Sequence, residues 1–270
     1  MLGLHALRSH VPFAEASDGV AIHYEVHGSG QPLLLLGGQS NSLHWWDSVR
    51  DDFARDFTVV ATDNRGTGRS DKPRSPDAYS TRRFAADVVS VLDDLGIGRA
   101  HVYGTSMGGR VAQWVAVDHA ERVGRLVLGC TSPGGKHGIE RGPDVRRALA
   151  DPTPGAPARA LLDLMYSPQW LARNAGPFTT LGDPDMPEYA RRHHFRASGR
   201  HDSWDALPSI VAPTLVVHGT DDRFNPTANA PLLAERIPGA RLHLIPQARH
   251  AYFEEFASVA TPLVADFLIG

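Results

Sequence analysis

The sequence predicts an α/β fold: a mostly parallel, eight-stranded sheet flanked by helices, with a helical segment inserted after the sixth strand. Three observations carry this reading. Short apolar runs alternate with amphipathic stretches, the order that builds βα units and a parallel sheet. The apolar runs are continuous, as suits strands covered on both faces. The alternation lapses once, between residues 133 and 208, and then resumes.

Taken in order, residues 11–16 and 20–27 read as strands joined by Asp18-Gly19, a pair that favours a hairpin turn. Residues 32–37, Pro-Leu-Leu-Leu-Leu-Gly, form a buried strand ended by glycine, and a helix is expected over 45–55. Residues 58–62 make the next buried strand. Ser80 is the expected N-cap of a helix reaching Leu95, with Phe84, Val88, Val91 and Leu92 along one face and Gly96 as its stop. A strand over 100–103, a helix over 107–119 and a strand over 125–129 follow. The 133–208 stretch shows no strand signal. It holds Gly, Pro and Asp breaks with short helical segments, and Leu161, Leu162, Met165, Tyr166, Trp170, Phe178 and Phe195 give it apolar surface to bury. The chain therefore divides into a core of residues 1–132 and 209–270 and a helical insertion of residues 133–208. After it come a strand over 213–217, a helix over 228–236, a strand over 241–245 and one C-terminal helix to about residue 268.

Composition narrows the function. The chain has 270 residues, 42% hydrophobic and 21% charged, with a net charge of −3. That balance does not suit a nucleic-acid binder, and no apolar run approaches the ~20 residues of a membrane helix. A single cysteine, Cys130, excludes an internal disulfide and a cysteine-based metal cluster. Together with a start, MLGLHALRSH, that lacks the form of a secretory signal, it points to a reducing, cytoplasmic setting.

The chemistry centres on Gly104-Thr105-Ser106-Met107-Gly108, a G-x-S-x-G between a strand and a helix. A sharp turn there exposes the serine at the positive end of a helix, where an oxyanion can form. A serine hydroxyl needs a base. Among 14 histidines, His250 follows the last strand at the sheet edge where Ser106 also lies. His218 falls inside a strand and reads as structural, and His193 and His194 belong to the insertion. The base in turn needs a carboxylate to fix its tautomer. Asp221 and Asp222, at the end of the preceding strand, are both candidates; the strand ending at Ser132 offers none.

With these residues in place the chain resembles the α/β-hydrolase superfamily over nearly its whole length. Gly37-Gly38-Gln39 is similar to its oxyanion loop, Asp63-Asn-Arg65-Gly66-Thr-Gly68-Arg-Ser70 to its D-x-R-G-x-G-x-S stretch, residues 104–108 to its elbow, and Gly219-Thr-Asp-Asp222 with His250 to its acid and base segments. The resemblance implies Asp222 as the acid, because the family's carboxylate is the third residue after the glycine. It implies an oxyanion hole from the backbone N–H groups of Gln39 and Met107. It assigns Asp63, Arg65, Gly66 and Gly68 to holding a turn, and the 133–208 insertion to a cap over the site. The chain departs from the family at Gly37, where many members carry histidine. More narrowly it resembles small bacterial esterases and lactonases of the 3-oxoadipate enol-lactonase and aclacinomycin methylesterase type. Gly38, Asn41 and Trp46, with Met165, Tyr166 and Trp170 of the insertion, are the expected pocket residues.

The expected activity is hydrolysis of an ester or lactone of a small, largely apolar molecule through an acyl-enzyme, with no metal or organic cofactor. The expected partner is that substrate alone, neither nucleic acid nor a membrane. The same triad serves C–C bond hydrolases, cofactor-free perhydrolases and acyltransferases. A non-catalytic small-molecule receptor is the rival from another class, and three complete triad positions argue against it.

Overall fold

The computed structural model describes residues 12–270; Val11 of the first expected strand and the start MLGLHALRSH lie outside them. Eight strands form one sheet: β1 (Phe13–Glu15), β2 (Ala21–His27), β3 (Gln31–Leu36), β4 (Phe57–Thr62), β5 (Ala100–Thr105), β6 (Val123–Gly129), β7 (Thr214–Gly219) and β8 (Arg241–Ile245). Their spatial order is β1-β2-β4-β3-β5-β6-β7-β8. β1 and β2 run antiparallel, as does the β2–β4 pair, and every pairing from β4 to β8 is parallel.

The reason for the continuous apolar runs is visible in β3. Leu34 and Leu36 enter one core, and Leu33 and Leu35 enter the other. The first core is closed by α2 (Thr81–Asp94), α3 (Met107–Asp118) and α8 (Asn229–Arg236), through Phe84, Val88, Val111, Val115 and Leu233. The second is closed by Trp45, Trp46 and Phe53 with α9 (Tyr252–Glu255) and α10 (Ala257–Ile269). Both faces being dry, side chains on each need no polar alternation. α2 begins as expected, with the Ser80 hydroxyl accepting from the Arg83 N–H at 3.0 Å, and ends before Gly96 at φ +65°.

Two helices differ from expectation. Residues 45–55 are not one helix. Leu43–Trp46 is a 3₁₀ turn, and α1 covers only Arg50–Phe53. Asp63 Oδ1 accepts from the Leu43 N–H at 2.7 Å, and both neighbouring indoles turn inward, Trp45 donating to Thr105 Oγ1 at 2.8 Å and Trp46 packing on Tyr103 and Phe253. The Trp45 bond and the packing of both rings override the local helical pattern. The C-terminal helix is also divided. α9 is held by Tyr252 on Tyr103 and by Glu254 and Glu255 on the hydroxyls of Tyr166 and Ser167, and the chain bends at Phe256 before α10 lies along the sheet.

Between β6 and β7 the chain leaves the sheet and forms α4 (Pro143–Leu149), α5 (Ala156–Met165), α6 (Pro168–Leu171) and α7 (Glu188–Gly199). These helices stand over the C-terminal strand ends. His250 and Ala251 N–H groups donate to the carbonyls of Leu164 and Met165, tying α5 to the loop after β8.

The D-x-R-G-x-G-x-S stretch braces the same edge. Asp63 accepts from His23 Nδ1 at 2.7 Å and the Arg69 N–H at 2.9 Å, and Gly68, at φ +50°, lies so close to that carboxylate that a Cβ would strike it. Burial works to raise the Asp63 pKa, and the His23 and backbone N–H bonds outweigh it, holding the carboxyl below its ordinary value. Arg65 is fully buried and forms a two-pronged pair with Asp87 at 2.7 and 2.6 Å, with Asp18 as a second partner. Removing one member strands the other in a dry core. Arg65→Met is expected to cost about 3–5 kcal/mol of stability in a denaturant melt, since the Asp87 carboxylate would remain uncompensated. A loss below ~1 kcal/mol would contradict this bracing role.

Among the described residues no helix is long and apolar enough to cross a membrane.

Candidate active site

Ser106 sits between β5 and α3 at φ 56° and ψ −123°, a backbone conformation that L-residues avoid. The surroundings impose it. The Ser106 N–H donates to the Gly129 carbonyl at 2.9 Å, and the Thr131 hydroxyl donates to the Ser106 carbonyl at 2.7 Å. Gly108 explains the second glycine of the motif. A Cβ there would run into the Leu36 and Gly37 carbonyls, so only glycine lets α3 start against the end of β3. That contact brings the two loops of the expected oxyanion hole together.

The three sequence-predicted residues meet. His250 Nε2 lies 3.0 Å from Ser106 Oγ, and His250 Nδ1 lies 2.7 Å from Asp222 Oδ2. With Nδ1–H donating to the carboxylate, Nε2 is left as acceptor for the serine hydroxyl. Asp222 is buried and its other oxygen accepts from the Phe224 and Asn225 N–H groups, both at 2.9 Å. Burial works to raise its pKa. The His250 imidazole and the bonds from His218 and His250 outweigh burial and hold it well below the usual carboxylate range. Its neighbour Asp221 is exposed and bonds to the Thr220 hydroxyl, so geometry separates the two candidates.

His218 does more than the sequence suggests. Its Nε2 lies 3.1 Å from Asp222 Oδ2 and 2.8 Å from the Asn225 carbonyl, so one N–H is shared between them. Asp222 thus holds two imidazoles. The signal was the four-residue spacing across the β7 end, His218 to Asp222, which is visible only once the turn is known.

Gln39 and Met107 share the wall of a small recess with Ser106. The loop carrying Gln39 is fixed from both sides. Asn41 Nδ2 donates to the Gln39 carbonyl at 2.9 Å, the Ser40 N–H donates to His194 Nδ1 at 3.3 Å, and the Asp183 and Gly182 N–H groups donate to Ser40 O and Asn41 Oδ1. His194 Nε2–H donates to the Arg65 carbonyl at 2.7 Å, and burial pushes its pKa down to about 4, so it stays neutral near pH 7.

A cavity of about 630 Å³ opens onto Ser106, within the range of ligand sites. Asn41 and Met165 line it as expected, and Gly38, Trp46, Tyr166 and Trp170 do not. Trp45 takes the place of Trp46, which lies beneath in the second core. Tyr166 stacks on Trp170 at 4.4 Å and bonds to Thr180 and Glu254, so both rings serve the packing of the insertion. Leu149, Leu161, Leu181 and Phe195 add apolar wall, and Arg141, Arg191 and Arg192 add charge that sequence reasoning did not find.

A model of the alpha/beta hydrolase fold matches residues 31–257. The chain belongs to the alpha/beta hydrolase family. Among its relatives is a putative carbamate hydrolase, RutD, of Variovorax paradoxus strain S110, 34% identical over 92% of this chain and 96% of that protein. Solved structures of the same family superpose closely. The enol-lactonase of Burkholderia xenovorans LB400 aligns with a TM-score of 0.81 and 29% identity over 96% of this chain and all of that one. Est816, described as an N-acyl homoserine lactone degrading enzyme, aligns at 0.80 and 32% over 95% of this chain and all of its own. Family, fold and relatives together support a hydrolase.

Proposed function

We propose that the protein is a serine hydrolase that cleaves a carboxylic ester or lactone through an acyl-enzyme. The observation that carries this reading is the hydrogen-bonded chain Ser106–His250–Asp222 at a strained strand-to-helix turn. Ser106 Oγ attacks the carbonyl carbon while its proton passes to His250 Nε2. Asp222 steadies the imidazolium through Nδ1. The Gln39 and Met107 N–H groups hold the developing oxyanion. Collapse of the tetrahedral species expels the alkoxide, which takes the proton from His250. Water repeats the sequence on the acyl-enzyme and frees the acid. The four helices between β6 and β7 act as a cap that shapes the substrate cavity.

The lactone-acting neighbours favour this class. A carbamate is the second reading, favoured by the RutD likeness; the attack is the same and the acyl carbon carries nitrogen. The test is turnover of p-nitrophenyl esters of graded acyl length, γ- and δ-lactones, and aryl carbamates. Ester or lactone hydrolysis well above the carbamates is the expected result. Turnover of carbamates alone would move the assignment to the second reading, and no turnover of any of them would contradict the hydrolase assignment.

A further inference from the structure

β7 alternates between the two cores, with Val216 in the first and Leu215 and Val217 in the second. His218 continues the face of Val216. Its ring is fully buried, yet Nδ1 has no hydrogen-bond partner among the described residues. An unpaired polar atom in a dry core costs stability, and leucine would fill the space without that cost. Packing alone does not account for an imidazole here. The bonds it does make lie on the other nitrogen. Asp222 Oδ2 and the Asn225 carbonyl both face Nε2, so the ring carries its proton there.

Asp222 thereby collects four donors. Oδ1 takes the Phe224 and Asn225 N–H groups, and Oδ2 takes Nδ1–H of His250 at 2.7 Å and Nε2–H of His218 at 3.1 Å. A carboxylate offers about four acceptor sites, so this one is full. Its last torsion is soft when few partners hold it. With two donors on each oxygen the plane is fixed, and Oδ2 faces His250. His218 lines neither the large cavity nor the recess beside Ser106, so it has no route to the substrate except through Asp222.

We propose that His218 is a positioning residue of the triad: it holds the Asp222 carboxylate so that Oδ2 stays on His250 Nδ1–H and His250 Nε2 stays on Ser106. This rests on the hydrolase reading above and adds a fourth side chain to its hydrogen-bonded chain. Without His218 the carboxylate can swing, and the imidazole loses the orientation that proton transfer from Ser106 needs. The bond to the Asn225 carbonyl supports a different role, that of steadying the turn after Asp222, and the test separates the two.

His218→Leu fills the space with no donor, and His218→Gln places an amide N–H near the position of Nε2. On p-nitrophenyl butyrate, His218→Leu is expected to lower kcat by roughly tenfold to a hundredfold with KM within about threefold, and His218→Gln to recover most of the loss. The rate of Ser106 labelling by a fluorophosphonate should fall in parallel. In an Asp222→Ala background the same leucine substitution should change that rate by less than about twofold, because no carboxylate is left to hold. The far-downfield N–H proton of His250 gives a readout without turnover: it should move in His218→Leu and return towards its wild-type position in His218→Gln. If His218→Leu does not fold, His218→Asn, whose shorter amide stops short of Asp222, carries the same comparison. Wild-type kcat in the folded leucine variant, an equal loss in the leucine and glutamine variants, an equal loss with and without the Asp222 carboxylate, or an unmoved His250 proton would overturn the proposal. If wild type cleaves no ester while the His250 proton follows His218 in this order, the positioning role stands and the hydrolase reading fails.

Discussion

Ser106→Ala is expected to lower kcat on any ester that the wild type cleaves by about 10⁵- to 10⁶-fold, because no other group takes over the attack once the nucleophile is gone. The fold should survive. The strained backbone at residue 106 is held by Gly129 and Thr131, and neither bond uses the serine side chain. The variant loses one hydrogen bond, to His250, of about 1 kcal/mol net, so its melting temperature should stay within a few degrees of wild type. A folded Ser106→Ala protein that kept its turnover would remove Ser106 from the chemistry.

Asp222→Asn carries the second large effect, and its sign follows from the four bonds at that carboxylate. The Phe224 and Asn225 N–H groups require an acceptor, so the amide oxygen would take their side. The NH₂ group would then face His250 Nδ1 and His218 Nε2. His250 could no longer donate from Nδ1. It would turn to the tautomer protonated on Nε2, which cannot accept the Ser106 proton. A fall in kcat of about 10⁴-fold is expected near neutral pH, as where such a tautomer switch is imposed on a triad. Steady-state kinetics on one p-nitrophenyl ester measures it. Because Asp222 is held well below the usual carboxylate range, the wild-type acid stays ionised over the working range, and the acidic limb of its pH profile should not report this residue. A loss smaller than about tenfold would mean that Asp222 does not set the His250 tautomer.

What the sequence made legible was short-range or fixed by topology. The elbow is a strand, a turn and a helix within a few residues, and its glycines meet a steric need. His250 could be chosen because parallel strands end on one edge, so 144 residues of separation count for little. The choice between Asp221 and Asp222 needed the family pattern, since neighbours at a strand end differ only in which way they face. The cavity wall was less legible for the same reason. Whether Trp45 or Trp46 reaches it is decided by the Thr105 hydroxyl, 60 residues away, and by the packing of Phe253. The aromatic rings of the insertion found one another first, Tyr166 on Trp170, and left the cavity to aliphatic and arginine side chains. Those arginines carry no motif, and which of them face the cavity is a fact of three dimensions.

The most direct test of the central claim is covalent labelling of wild-type protein with a fluorophosphonate, read by peptide mass spectrometry. The account predicts one phosphonyl group per chain, on the peptide carrying Ser106, with labelling abolished in Ser106→Ala and strongly slowed in Asp222→Asn. A folded wild-type protein that takes no label at Ser106, or takes it on another residue, would contradict it.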